Sequence, residues 1–95
     1  MHEAALRAEA TALAASMAFL NAAAHLVAVP EGVQVYDPVA HVITRRAGHE
    51  RAQLVVQSRS RPALQAFLAE WTAALPAAAP SGVRWHLDVD PIEFD

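Results

Sequence analysis

Cysteine, lysine and long hydrophobic runs are missing from this chain, and each absence excludes a class of protein. Without cysteine there is no disulfide framework, no thiolate nucleophile and no thiolate metal site. Without lysine the chain cannot complete the Walker motif that holds ATP phosphates. No run approaches the ~20 apolar residues that a transmembrane helix needs, and the start lacks the basic stretch of a signal peptide. We therefore expect a cytoplasmic protein with no membrane partner.

The length of 95 residues suits one domain with a modest core. A formal net charge of −3 argues against strong, autonomous binding to nucleic acid, for which a domain pI above about 9 is the usual footprint. The charge is unevenly distributed, however. Residues 39–65 hold five arginines and one glutamate, whereas residues 86–95 hold four carboxylates and no arginine. A local anion site is therefore compatible with the negative total.

A strand, a turn and a helix between residues 52 and 71 organise the sequence. Residues 53–58 are a short apolar run with two β-branched members, which is typical of a buried strand. Ser60 is the predicted N-cap of a helix over residues 61–75, and Pro62 fits the first turn of that helix. The helix carries one apolar stripe, formed by Leu64, Phe67, Leu68, Trp71 and Leu75.

Two arginines, Arg59 and Arg61, flank the predicted start of this helix. Amide donors and guanidinium groups point the same way at such a helix start, which suits an anion. The alternative is two solvated arginines beside a turn. The residues themselves leave both interpretations open.

The alanine-rich N-terminal third is ambiguous, because helix propensity alone favours one long helix through it. Apolar and charged residues alternate up to residue 10, however, and a helical apolar stripe begins only after Thr11. We therefore predict a strand at 3–10 and a helix at 11–27. Thr11 is the expected N-cap, and Pro30 and Gly32 lie beyond the end of the helix.

The remaining segments have the character of strands and loops. β-Branched residues predict an irregular second strand at 33–43, broken at Asp37-Pro38. Residues 45–51 are typical of a hairpin loop, and prolines predict a loop at 76–82. Residues 83–90 alternate cleanly between apolar and polar side chains, which predicts a half-exposed final strand.

The predicted order of elements is β-α-β-β-α-β, a split βαβ arrangement of the ferredoxin-like kind. It corresponds to an α+β fold in which two helices cover one face of a four-stranded antiparallel sheet. In that topology the strand at 3–10 lies between the third and fourth strands, and the final strand lies on an edge.

No enzyme motif is present, and the histidines show no metal-ligand spacing. Asp88 and Asp90 share one strand face and could hold a cation, although a solvated face or arginine partners is the favoured interpretation. An acylphosphatase needs an arginine cradle and a water-positioning asparagine, whereas the sole asparagine, Asn21, falls inside the first helix. Trp71 and Trp85 are predicted core residues, so neither offers bases a stacking platform.

Three segments carry a resemblance to a known family. Val83-Arg-Trp-His-Leu-Asp-Val-Asp-Pro-Ile-Glu-Phe94 resembles the C-terminal signature of the primosomal protein N′ family of bacterial replication-restart helicases. Gln57-Ser-Arg-Ser-Arg-Pro-Ala-Leu-Gln65 resembles the strand-to-helix turn of that family, and Gln34-Val-Tyr-Asp-Pro-Val39 is a variant of its second strand. The resemblance covers essentially the whole chain. The absence of lysine, and Asp37 where many relatives carry a smaller residue, argue against strong DNA binding.

The resemblance implies that residues 1–95 are a single, non-catalytic C-terminal domain with a fold like that of ribosomal protein S10. The parent would be an ATP-dependent 3′→5′ DNA helicase that restarts stalled forks and assembles the primosome. Its ATP, magnesium and zinc would bind upstream, so we expect no cofactor here. The implied partners are branched or single-stranded DNA, the helicase core of the same chain, other primosome proteins and the acidic C-terminal tail of single-stranded DNA-binding protein.

The resemblance also implies site residues. Arg61 and Gln65, one helical turn apart, would bind the partner tail. The candidate DNA contacts are Arg45, Arg46, Arg51 and Arg59. One alternative is a purely structural interface module. The other is an S10-like RNA- or transcription-factor-binding domain, an interpretation that rests on fold analogy alone.

Overall fold

The computed structural model describes residues 1–40 and 49–89, and these residues form one α+β unit. Within them, two helices pack on one side of a five-stranded antiparallel sheet. The α+β class and the open antiparallel sheet are as predicted, but the predicted strand count of four is wrong. The elements are β1 His2–Ala10, α1 Leu13–Ala24, β2 Val33–Val35, β3 Val39–Ala40, β4 Glu50–Ser58, α2 Arg61–Ala78 and β5 Arg84–Val89.

The extra strand comes from a break in the predicted second strand. In the described residues this segment forms two short strands, β2 and β3, and both pair with β4 in antiparallel register. The break falls at Asp37-Pro38, because proline has no amide hydrogen for the ladder and aspartate is disfavoured in strands. The remainder of the predicted strand, and residues 45–48 of the predicted hairpin, lie outside the described residues.

β1 occupies the centre of the sheet, between β4 and β5, as predicted. Its alanine content favours a helix locally, but both edges of the strand are hydrogen-bonded to a neighbour. Its helix-facing side buries Ala4, Leu6 and Ala8. Tertiary pairing and burial therefore outweigh the intrinsic helix propensity of this segment.

α1 is shorter than the predicted helix over residues 11–27. The N-cap position is held by Ala12, which makes no side-chain capping bond, so the prediction of Thr11 as N-cap is wrong. The reason is that Ala10 is still paired with Glu50 in the sheet, and Thr11 lies in the bend between strand and helix. At the other end, Trp71 Nε1 donates to the carbonyl oxygen of Ala23 over 2.9 Å. The same carbonyl accepts from the amide of Leu26 at 3.1 Å, so the indole adds a second bond at this helix end and ties α2 to it.

α2 begins as predicted and ends later than predicted. The hydroxyl of Ser60 accepts a hydrogen bond from the amide of Ala63 at 3.1 Å, so Ser60 is the N-cap. The helix continues to Ala78, and the predicted loop at residues 76–78 is therefore wrong. Pro76 removes one helical donor, but Leu75 is fully buried and its carbonyl accepts from the amide of Ala79 at 3.1 Å. Packing of Leu75 thus holds the last turn in place.

The core lies between the sheet and the two helices. Trp71 is fully buried at its centre, and Trp85 packs against its margin, both as predicted. Trp71 also lies against the ring of Phe67, with 5.1 Å between the ring centroids. The largest other fully buried side chains are Leu6, Leu20, Leu54, Val56 and Leu75.

The Ser60 cap gives a first test of the fold. We expect Ser60→Ala to lower the free energy of unfolding by about 1 kcal/mol, because an N-terminal amide of α2 loses its acceptor. Urea denaturation followed by far-UV circular dichroism measures this change. Ser81→Ala, in the exposed turn before β5, is the matched control and should leave the midpoint nearly unchanged. Equal midpoints for the two variants would exclude a capping role for Ser60.

Candidate functional site

The side of the sheet that faces away from the helices, here called the open face, carries rows of charged and polar side chains. These rows follow from the strand register, because residues paired across antiparallel strands point to the same face. One row runs Arg51, Glu9, Arg84 across β4, β1 and β5; the next runs Gln53, Arg7, His86.

A concavity of about 430 Å³ lies over these rows. Its polar lining consists of Arg7, Glu9, Arg51, Arg84 and His86. We call this concavity the arginine groove. Three guanidinium groups outnumber the Glu9 carboxylate of the lining and the Asp88 carboxylate beside Arg7. The concavity therefore keeps a local positive charge, although the chain as a whole is acidic.

Two of the three arginines form ion pairs with described residues, and the third does not. Arg51 Nε lies 3.5 Å from Glu9 Oε1, and His49 Nδ1 lies 2.8 Å from Glu9 Oε2. Arg7 Nη1 lies 2.9 Å from Asp88 Oδ2. Arg84 makes no ion pair with any residue that the structure describes. The side chains of Arg7 and Arg51 are 46% and 54% exposed, so their guanidinium groups remain accessible to a ligand.

The contact with Arg7 also identifies the partner of Asp88. Asp88 Oδ2 accepts from Arg7 and lies 3.5 Å from His86 Nε2. The interpretation of Asp88 as a partner of an arginine is therefore confirmed. Asp90 lies outside the described residues, so the proposed cation pair is not tested.

The second predicted site lies at the start of α2. Arg59 precedes the N-cap, Arg61 is the first helical residue, and Gln65 follows one turn later; all three are exposed. In the described part of the chain none of the three forms an ion pair or a side-chain hydrogen bond. The start of α2 therefore presents a guanidinium group and an amide side chain to solvent on adjacent turns.

The structure does not bring the predicted DNA contacts into one cluster. Arg51 lies near the start of β4, and Arg59 lies in the bend after its last residue, Ser58. The two are eight residues apart, which corresponds to about 26 Å along a strand. Arg51 belongs to the arginine groove, whereas Arg59 belongs to the start of α2. Arg45 and Arg46 lie outside the described residues.

Sequence reasoning missed Arg7 and Arg84. Each occupies an exposed position of an alternating strand, and the predicted strand order already placed β1 beside the final strand. Strand order alone does not predict their proximity, because the register decides which residues of neighbouring strands lie side by side. No local sequence signal connects them, because β1 and β5 are far apart in the chain.

Two residue types that commonly bind zinc and nucleotide phosphates are absent from the sequence. The chain has no cysteine for zinc and no lysine for nucleotide phosphates. Across residues 1–40 and 49–89, no group of three or more His, Asp or Glu is placed to hold a metal ion. Neither helix in that part of the chain is long and apolar enough to cross a membrane.

The fold and the open face define a small α+β domain whose antiparallel sheet is covered by helices on one side. The family model described as primosomal protein N C-terminal domain matches residues 1–92 of this chain. The chain therefore belongs to the primosomal protein N C-terminal domain family, as its final motif indicated. Membership connects the chain with the primosome and with DNA replication.

Proposed function

We propose that this chain is the DNA- and partner-binding C-terminal domain of an ATP-dependent 3′→5′ helicase that restarts stalled replication forks and assembles the primosome. The observation that carries the DNA-binding part is the arginine groove, which concentrates positive charge on an acidic chain. Family membership supplies the replication context. The domain acts in the cytoplasm, and ATP, magnesium and zinc bind to the upstream parts of the protein.

The strand order supports the finer comparison with ribosomal protein S10. If β2 and β3 are taken as one interrupted strand, the sheet order β2-β4-β1-β5 corresponds to the split βαβ arrangement. The interruption at Asp37-Pro38 is then a local variation of that fold.

The start of α2 is the proposed site for the acidic C-terminal tail of single-stranded DNA-binding protein. A peptide that ends in a free carboxylate needs a guanidinium group, hydrogen-bond donors and an apolar slot. Arg61 supplies a two-pronged donor, Gln65 a neutral donor and the helix dipole a favourable field. The helicase core of the same chain completes the slot, and other primosome proteins assemble around it.

The second candidate function is a structural interface module that binds neither DNA nor tail. Three exposed apolar side chains near the edges of the sheet favour it: Tyr36, Val39 and Val89 are 44%, 60% and 52% exposed. Such residues suit packing against a neighbouring domain. A forked DNA separates the two functions, because only the first binds it.

We expect the isolated chain to bind forked or single-stranded DNA weakly, at micromolar or weaker affinity. Because the contacts are to a few phosphates, binding should fade between about 50 and 200 mM salt. Fluorescence anisotropy of a labelled fork across that salt range measures both the affinity and its slope. Tight binding that does not depend on salt would contradict the proposed contact to a few phosphates. No binding at the lowest salt would favour the interface module.

A further inference from the structure

We infer that the arginine groove holds the phosphodiester backbone of a single DNA strand, with Arg7 and Arg84 as contacts beside Arg51. We infer also that Glu9 attenuates this binding from the middle of the groove. The inference rests on the proposed DNA-binding function and assigns it a place on the domain. It separates the DNA surface from the start of α2, where the partner tail is proposed to bind.

The register sets the spacing of the three guanidinium groups. Arg51 and Arg84 flank Glu9 in one row across three neighbouring strands, so their backbones are about 10 Å apart. Arg7 lies two residues before Glu9 on β1, or about 6.6 Å along the strand. Three flexible cations therefore reach into one concavity from different points, which suits a ligand with repeated negative charges.

The guanidinium groups of Arg51 and Arg84 have hydrogen-bond donors available for a phosphate. A guanidinium group donates in a fixed fork that matches two phosphate oxygens. Arg51 contacts Glu9 only at 3.5 Å through Nε, and Arg84 has no acidic partner among the described residues. Both arginines thus keep donors for a ligand.

The chemistry of the lining favours a nucleic acid strand over an acidic peptide. A peptide tail would need an apolar slot for its side chains, but the side chains of the two rows are charged or polar. The apolar residues of the lining, Ala8, Ala52 and Trp85, are paired in the intervening row and pack with the core on the helix-covered face. Trp85, the aromatic residue of the lining, packs against the core, so it does not offer bases a stacking platform. The contact is therefore to the backbone, and it should show little preference for base sequence.

Glu9 is the one carboxylate in the groove lining. It lies between Arg51 and Arg84 in the register and takes contacts from His49 and Arg51. A negative charge at this position repels the phosphate that the arginines attract. Glu9→Gln should therefore tighten DNA binding several-fold at low salt, and the gain should shrink as salt screens the charge.

The test measures anisotropy of a labelled oligothymidylate with the 95-residue chain and its variants. Arg84→Ala removes one phosphate contact, and each such contact contributes about 0.7 to the salt slope on single strands. We expect binding about eightfold weaker at 50 mM salt and about threefold weaker at 200 mM, with a slope lower by about 0.7. Arg84→Lys keeps the charge and should retain most of the affinity.

Two matched control variants show whether the changes in DNA affinity belong to the arginine groove. Arg59→Ala removes the same charge at the far end of β4 and should change oligothymidylate binding by less than Arg84→Ala. Glu70→Gln removes a carboxylate from the exposed side of α2, in the helix layer, and should not reproduce the gain of Glu9→Gln. A gain in affinity cannot arise from unfolding, so Glu9→Gln keeps the test valid if an arginine variant is unstable.

The outcomes are distinct. If Arg84→Ala and Glu9→Gln leave binding unchanged while Arg59→Ala weakens it, the groove is not the DNA site, but the proposed function survives. If the unmodified chain fails to bind oligothymidylate even at about 50 mM salt, both proposals fail. If polyglutamate binds in an Arg84-dependent way and oligothymidylate does not, the groove receives an acidic protein segment and the inference is wrong.

Discussion

Replacing Trp71 with alanine is expected to remove about 3–5 kcal/mol from the free energy of unfolding. The indole is fully buried, lies against Phe67, and donates from Nε1 to the Ala23 carbonyl at 2.9 Å. The substitution therefore opens a large cavity and removes the bond that joins α2 to the end of α1. Domains of this size are stable by roughly 5–15 kcal/mol in total, so the variant should be close to unfolding at room temperature.

Urea denaturation followed by far-UV circular dichroism measures this loss. Trp71→Phe separates its two causes, because it keeps most of the apolar volume and removes the hydrogen bond. We expect it to cost clearly less than the alanine variant. Trp85→Ala is the control for tryptophan removal as such, since Trp85 is only partly buried at the margin of the core. A midpoint for Trp71→Ala equal to that of the unmodified chain would mean that the core is not organised around Trp71.

If the acidic partner tail binds as proposed, Arg61→Ala should weaken its binding by roughly tenfold or more in the full-length protein of the proposed helicase. Removal of a charge-assisted hydrogen bond typically costs about 1.5–3 kcal/mol, and ~1.4 kcal/mol is already a factor of ten. The domain itself should stay folded, because Arg61 is exposed and makes no ion pair in the described residues. Calorimetry with the tail peptide at matched salt measures the loss.

Two variants show whether the effect belongs to the start of α2. Gln65→Ala removes a neutral donor from the same side of the helix, so its effect should be smaller than that of Arg61→Ala. Arg84→Ala removes the same charge from the open face and should leave tail affinity almost unchanged. If Arg61→Ala and the unmodified protein bind the tail equally, Arg61 does not belong to the site. If Arg84→Ala weakens binding as much as Arg61→Ala, general electrostatic attraction accounts for the effect.

The candidate sites could be predicted only where they are local in sequence. Arg61 and Gln65 are four residues apart on one helix, so their common exposure follows from helical periodicity. The arginine groove combines Arg7, Arg51 and Arg84 from three strands that are far apart in the chain. Its composition depends on strand order and on register, in which a shift of one residue would move every side chain to the other face.

Four features could be predicted from the residues alone: the α+β class, the cap at Ser60, the buried stripe of α2 and the family of the chain. Those features depend on neighbouring residues, and their signals are periodicity, capping chemistry and a contiguous motif. Three features became visible only in the folded domain: α2 continues past Pro76, α1 begins after Thr11, and Arg7 and Arg84 lie beside Arg51. The physical reason is that each of these outcomes depends on contacts between distant segments, and such contacts outweigh the weak local preferences of alanine and proline.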